Sequence, residues 1–334
     1  MTKPDTAIII LNWNGERLLN EFLPKVIENT DRARADIIVA DNGSTDRSVE
    51  IIRQFEPDVK LLILDRNYGF AGGYNRAIER TRYKYTILLN SDVAPARGWN
   101  SALQDFMDAN PDVGACQPKI LSYTALPERV FEYAGACGGF LDKNGYPYCR
   151  GRIFATTEPD RGQYDTPMPI FWASGAALMI RTDLYLSVGG LDEDFFAHME
   201  EIDLCWRVLL SGSKIMAVPA AEVYHLGGGS LPASNPRKTY LNFRNNLLLL
   251  HKNLPDSVRG RKLLVRRLLD TLAWARFVVV LDFANAKAVF KAHRDFARMR
   301  RAYSVHPAVS LLGSYPGTER NILTDYYLRG RRTF

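Results

Sequence analysis

Two polar clusters in this chain combine residue types and spacing that could carry chemistry. The first is Asn90-Ser91-Asp92, which follows the apolar run from Tyr85 to Leu89. Pro95 and Gly98 keep that run from continuing, so the polar side chains emerge where a strand meets a loop. Strand alternation points positions 90 and 92 the same way. One amide oxygen and one carboxylate suit a hard divalent cation that keeps its other sites for water and phosphate oxygens. The plain alternative is an Asx turn closing a strand. The second cluster, Glu200-Glu201-Ile202-Asp203, places three carboxylates in four positions. Asp203 and Arg207 are four apart on a helix and form a natural ion pair. Glu200 and Glu201 sit in a first turn, where the helix dipole favours acids. Two adjacent acids also raise each other's pKa, which suits a general base.

The elements that position these clusters alternate. Apolar runs at Ala7 to Leu11, Asp36 to Ala40, Lys60 to Leu64 and Tyr85 to Leu89 are separated by helical segments at Glu16 to Glu28, Asp46 to Phe55 and Ala71 to Arg82. This order reads as an α/β protein with a largely parallel sheet, whose ligands sit beyond the carboxyl ends of the strands. Polar groups fall at those ends: Asn12-Trp13-Asn14, Asp41-Asn42-Gly43-Ser44-Thr45-Asp46, Arg66-Asn67-Tyr68-Gly69 and Asn90-Ser91-Asp92. Ser44 or Thr45 is expected to cap the second helix, while Asp41, before the turn, could accept a base N–H. Gly69, Gly72 and Gly73 read as a turn into a helix. Neither a Gly-x-Gly-x-x-Gly after the first strand nor a Walker loop is present, which argues against dinucleotide and P-loop enzymes.

Trp99 to Ala109 reads as a helix and Val113 to Cys116 as a strand. Ser122 to Asp165, rich in Gly, Pro and Tyr, is expected to be irregular. Ala176 to Ile180 is a further strand after Trp172-Ala173-Ser174-Gly175. Ile202, Cys205, Trp206 and Leu209 recur at helical spacing and seat the acidic helix, which Gly212 stops. His225 precedes Leu226-Gly227-Gly228-Gly229, a run where backbone could approach a diphosphate.

The chain has 334 residues, 46% hydrophobic and 24% charged, enough for a substantial core and one large or two modest domains. Its net charge of +6 is concentrated after Arg259. Cys116, Cys137, Cys149 and Cys205 follow no zinc or disulfide pattern and fit a reducing cytoplasm. The first ten residues are too short for a signal peptide, and no apolar stretch reaches the ~18 residues of a membrane span.

In this order the motifs resemble the family-2 glycosyltransferases, in particular bacterial rhamnosyl- and galactofuranosyl-type enzymes of surface polysaccharide synthesis. The resemblance rests on Ile8-Ile9-Ile10-Leu11-Asn12-Trp13-Asn14, the Asp41 to Asp46 run, Asn67 to Asn75, Leu88 to Asp92, Gly189-Gly190-Leu191-Asp192-Glu193, the Glu200 to Arg207 helix and Tyr224-His225-Leu226-Gly227-Gly228. It covers Thr6 to Ser230 and implies a GT-A catalytic domain over 1–235, followed by a basic, mainly helical region over 236–334. It also implies a nucleotide-diphosphate sugar donor, dTDP- or UDP-linked, a saccharide or lipid-linked saccharide acceptor, and inversion at the sugar. The implied donor site comprises Asn12, Asp41, Asn67, Gly72, Asn75, Asn90, Ser91 and Asp92. Mg²⁺ or Mn²⁺ would be held by Asp92 and His225, and Glu201 is the catalytic base. Two departures stand out: Asn90 replaces the usual first Asp of the metal motif, and Glu201 is one methylene longer than the commoner Asp.

The acceptor is assigned to Trp172, Ser174, Gly175 and Glu200. An exposed Trp172 face would stack on a sugar, with a core tryptophan as the alternative. A nucleotidyltransferase would carry a Gly-rich loop with Lys or Arg after the first strand, which Asn12-Trp13-Asn14-Gly15 does not supply. A silent nucleotide-sugar-binding scaffold is the rival from a different class. Basic residues interleaved with Leu263-Leu264-Val265, Leu268-Leu269 and Phe277 to Leu281 lead to an expectation of two or more helices lying on the inner face of the cytoplasmic membrane. Packing on the catalytic core or in a homodimer is the alternative. No nucleic-acid partner is expected.

Overall fold

The computed structural model describes residues 3–227 and 235–334. Strands β1 (Thr6–Asn12), β2 (Ala35–Asp41), β3 (Val59–Ile63) and β4 (Tyr85–Leu89) alternate with helices α1 (Glu16–Asn29), α2 (Ser48–Arg53) and α3 (Gly69–Thr81). The four strands lie parallel in the order β4-β1-β2-β3. Ala7 and Ile9 enter one buried cluster, Ile8 and Ile10 another. Strand β1 is therefore apolar without interruption because both of its faces are covered.

The first helix-start expectation needs correction. Ser44 Oγ accepts from Asn14 N and Asn12 Nδ2, so it ties two strand ends together and does not cap α2. Asp46 does the capping: its two oxygens accept from Ser48 N at 3.0 Å and from Glu16 N at 3.1 Å, at the starts of α2 and α1.

Strand β5 (Val93–Pro95), helix α4 (Trp99–Ala109) and strand β6 (Val113–Ser122) follow. The sixth strand runs past Cys116 because it has a partner along its length. The 122–165 segment is not wholly irregular. It contains β7 (Gly139–Leu141), β8 (Pro147–Cys149), β9 (Arg152–Ile153) and β10 (Thr156–Thr157) in a small antiparallel sheet. Phe131, Phe140 and Tyr148 are at most 1% exposed there, so these aromatics are core and not loop decoration.

Strands β11 (Met168–Pro169) and β12 (Ala177–Arg181), helices α5 (Thr182–Ser187) and α6 (Glu200–Leu210), and strand β13 (Lys214–His225) complete the main sheet, in the order β11-β13-β6-β12-β4-β1-β2-β3. β12 is antiparallel to both neighbours, β4 and β6, making the sheet mixed. The short β5 pairs antiparallel with the end of β13, setting His225 opposite Val93.

Three further helices follow: α7 (Pro236–Asn253), α8 (Asp256–Val279) and α9 (Phe283–Met299). Asn235 accepts from Arg237 N and Pro236 begins α7, an orthodox helix start. Leu247, Leu248, Leu249 and Leu250 are fully buried in the same cluster as Ala7 and Ile9. Packing is thus continuous across the expected 235/236 boundary. The chain end returns as well, with the Phe334 ring 5.1 Å from that of Phe140.

Candidate active site

Antiparallel pairing of β5 with β13 brings together two groups that are remote in sequence. His225 Nε2 lies 3.1 Å from Asp92 Oδ1, and His225 Nδ1 lies 3.2 Å from Glu132 Oε2. All three are at least nine-tenths buried. Burial opposes charge on the imidazole, but the flanking Asp92 and Glu132 carboxylates outweigh it and push its pKa up to about 10. Gly227 has φ +67°, and a Cβ there would stand 2.6 Å from Glu132 Oε1, so the turn after His225 admits only glycine without displacing that carboxylate.

This arrangement fits a divalent cation. A carboxylate behind one imidazole nitrogen orients the other toward a metal, and Asp92 supplies a hard oxygen beside it. The imidazole ligates when neutral, so its proton must leave on loading. Two protein ligands make a partial shell that a diphosphate would complete. Among the described residues, no three His, Cys, Asp or Glu side chains form a ready-made metal cluster.

The second centre is the start of α6. Glu200 is 5% exposed, and neither Glu200 Oε2 nor Glu201 Oε2 has a hydrogen-bond partner. Burial lifts the Glu201 carboxyl to about 7, and burial together with the neighbouring Glu201 raises Glu200 well above its usual range. Asp203 is different: burial alone would raise its pKa, but Arg207 and Lys252 hold it low. Its Oδ2 accepts from Arg207 at 2.7 Å and Lys252 at 2.9 Å, and its Oδ1 from Asn253 at 2.7 Å. Asp203 therefore anchors α6 to α7. Asn245 of α7 also donates to the carbonyls of Phe195, Ala197 and His198, holding the backbone that leads into Glu200. Phe196, His198 and Met199 all have positive φ in that turn, a strained entry of the kind that persists only under such restraint.

The Ser174-Gly175-Ala176 segment lies between the two centres. Asn90 N donates to Ala176 O at 3.0 Å. A Cβ on Gly175 would stand 3.7 Å from Glu201 Cβ. Ser174 Oγ donates to Ala134 O, and Ala134 N donates to Glu132. One short run of chain thus touches the cation-side cluster and the carboxylate side.

The other expected site residues divide by what holds them. Asn90 and Ser91 are half-buried beside Asp92 at the β4 end. Because the strand ends at Leu89, their placement comes from the turn into β5 and not from strand alternation. Asp41 is 1% exposed and accepts from Asn12 Nδ2 and Ser44 N. A carboxylate offers about four lone-pair sites, so acceptor capacity remains. Asn12, also 1% exposed, donates its Nδ2 to Asp41 and Ser44 and keeps its Oδ1 unpartnered.

Two expectations, Trp172 and Asn75, are corrected, and Gly72 and Asn67 gain a structural setting. Trp172 is 4% exposed, its Nε1 donates to Phe140 O, and its indole fills the space over Gly139, leaving no face for an acceptor sugar. Asn75 bonds Leu191 N, Leu191 O and Tyr185, so both ends of its amide dock a neighbouring loop. Gly72 lies inside α3, where Arg76 and Glu193 cover its Cα closely. Asn67 Oδ1 accepts from Asn42 Nδ2 and Gly69 N, shaping the turn into α3. The diphosphate approach expected at Gly228 and Gly229 lies outside the described residues.

Sequence reasoning missed Glu132, which sits in a segment without periodicity and gave no local signal. It also missed Asn245, Lys252 and Asn253. Polar residues flanking the Leu247 to Leu250 run were the available clue, since polar groups on a buried helix face need partners. Trp13, 56% exposed at the end of β1, was seen only as part of a polar cluster.

Comparison with known proteins bears on the fold. The fold is that of GT-A glycosyltransferases. It matches a GalNAc-T7 structure solved with UDP, GalNAc and Mn²⁺ at TM-score 0.58 and 17% identity, over 76% of this chain and 48% of the other. It matches a mannosyltransferase from Pyrobaculum calidifontis, in complex with GDP-Man and Mn²⁺, at TM-score 0.52 and 16% identity, over 90% and 85%. Residues 7–159 match the family model described as glycosyl transferase family 2. The chain is 29% identical over 234 residues to the N-acetylglucosaminyl-diphospho-decaprenol L-rhamnosyltransferase of Mycobacterium tuberculosis, covering 65% of this chain and 75% of that protein. It is 23% identical over 273 residues to a low-salt glycan biosynthesis hexosyltransferase of Haloferax volcanii, covering 76% and 78%.

Proposed function

We propose that this chain is an inverting hexosyltransferase, with rhamnose the favoured sugar, which moves the sugar from a dTDP- or UDP-linked donor to a hydroxyl of a saccharide or lipid-linked saccharide. The observation that carries this reading is Glu201: a largely buried carboxylate with an unpartnered oxygen and a pKa lifted to about 7, close to Gly175. A base with a pKa near the working pH abstracts protons most effectively. Support for the sugar comes from the rhamnosyltransferase relative.

On this reading Glu201 takes the acceptor hydroxyl proton as the oxygen bonds to the anomeric carbon. The bond to the diphosphate oxygen breaks, and its electron pair leaves with the nucleotide. Asn90, with Ser91 beside it, contacts the ribose, and Asp41 accepts a base N–H. A divalent cation, which Asp92 and His225 would hold, would supply positive charge for the leaving diphosphate. Glu200 and the Ser174-Gly175 backbone line the acceptor side.

The test is a panel of nucleotide sugars screened for thermal stabilisation with Mn²⁺ present, followed by NMR of the transfer product. A dTDP- or UDP-hexose should raise Tm, since a ligand specific for the folded state stabilises it. The product should carry the anomeric configuration opposite to the donor. A product that retains the configuration contradicts inversion.

A further inference from the structure

Helix α8 turns a stripe of apolar side chains to solvent and one arginine–aspartate pair to the protein. The inward positions carry Arg266 and Asp270, 4% and 1% exposed. Arg266 Nε donates to Asp270 Oδ1 at 2.7 Å, Arg266 also binds Asn246 of α7, and Asp270 Oδ2 meets His293 of α9 at 3.0 Å. The outward positions carry Leu264, Leu268, Leu272 and Val279, which are 61%, 60%, 67% and 80% exposed. At 100° per residue these four fall within roughly 80° of arc, a single stripe. It continues into Val280 and Leu281 in the turn and Phe283 at the start of α9, 61%, 72% and 62% exposed. From Leu264 to Val279 the stripe runs about 22 Å along the helix. Scattered exposed leucines need no explanation, but a contiguous patch with its polar partners buried beneath it marks a contact surface.

The charges beside the stripe indicate what it meets. Arg261, Arg267 and Arg276 are exposed on α8, as are Lys287 and Lys291 on α9. The acids of these two helices are engaged elsewhere. Asp256 pairs with Arg259, Asp270 is buried under α8, Asp282 accepts from Asn285 N at the start of α9, and Asp295 accepts from Tyr240. Two-fold pairing of this face with a second copy would set arginine ridge against arginine ridge. A lipid surface has no such conflict, because acyl chains take the leucines and anionic headgroups take the guanidinium groups. Among the described residues no helix is long and apolar enough to cross a membrane, so the contact is along the surface.

We propose that α8 and the α8–α9 turn dock the protein on an anionic phospholipid surface, with the Leu264-Leu268-Leu272-Val279 stripe inserted and the flanking arginines at headgroup level. The test is co-sedimentation of the full chain with vesicles of phosphatidylglycerol and phosphatidylcholine in equal parts, and with phosphatidylcholine alone. The wild type should pellet with the anionic vesicles at low salt and release as salt rises. The triple variant L264D/L268D/L272D should lose tenfold or more of its partitioning. R261Q/R267Q/R276Q should lose about fivefold per residue on anionic vesicles and much less on neutral ones. Because every altered side chain faces solvent, the melting curves of both variants should match wild type, and donor-induced thermal stabilisation should persist. A wild type that stays in the supernatant at low salt overturns the proposal, as does a leucine variant that pellets like wild type. A solution dimer that L268D dissociates, with no vesicle binding, also overturns it and assigns the face to a second copy.

Discussion

His225 Nε2 stands 3.1 Å from Asp92 Oδ1 across 133 residues of sequence, because the last residues of β13 pair with the three-residue β5. One change in the pair therefore disturbs both members. Asp92→Ala should abolish Mn²⁺-dependent donor binding along with turnover, since His225 alone offers a single ligand. Isothermal titration of donor with and without Mn²⁺ measures this, and EDTA should reduce wild type to the level of the variant. Full wild-type activity in excess EDTA would contradict a metal-dependent site.

Glu132 is a positioning residue, acting through His225. Glu132→Gln should weaken Mn²⁺ affinity about 10–100-fold, the usual consequence of losing the carboxylate behind a ligating histidine. A purely structural role would lower Tm and leave the Mn²⁺ affinity of the folded protein unchanged. Direct Mn²⁺ titration followed by electron paramagnetic resonance separates the two.

Asp203 binds Arg207, Lys252 and Asn253 from a position that is fully buried. Asp203→Asn leaves Arg207 without its counter-charge, while Lys252 keeps Asp192 at 2.6 Å, and should cost about 3 kcal/mol of stability. Urea denaturation should show the midpoint moving at nearly constant slope, while the KM for donor stays close to wild type. A loss of turnover without loss of stability would move Asp203 into the catalytic machinery.

The parallel half of the fold was legible because its strands are continuous apolar runs broken by turn residues. Tyr85–Leu89 and Trp99–Ala109 came out at their observed limits. The 122–165 segment was not legible: its strands span two or three residues, too few for alternation to register, and its core is built from aromatics that also suit loops. At the candidate site, the Asp203–Arg207 pair could be read from chain-local chemistry. Glu132 and Asn245 could not, since their roles depend on elements packing from far along the chain. Asn75 and Trp172 were misassigned for a related reason: an amide or an indole looks the same in sequence whether it faces a ligand or a neighbouring loop.

Glu201 should also make stability depend on pH in a direction opposite to most carboxylates. Its pKa is raised from 4.5 to about 7, so the folded chain holds the proton more tightly than the unfolded one. The associated stability is fully present below 4.5 and is lost as pH rises through about 7. Glu201→Gln should therefore melt above wild type at pH 8 and with it near pH ~4. Differential scanning calorimetry across that range checks the sign; a variant less stable than wild type at pH 8 would refute the raised pKa.

Glu201 as the base of an inverting transfer is the central claim, and single-turnover transfer by Glu201→Gln, measured alongside donor affinity on the same preparation, tests it most directly. Glutamine keeps the shape and hydrogen bonding of the side chain but cannot accept the proton. The chemical step should fall roughly 10²-fold or more with the donor Kd unchanged, and Glu201→Asp should keep part of the rate. Near wild-type transfer by Glu201→Gln would show that another group removes the proton.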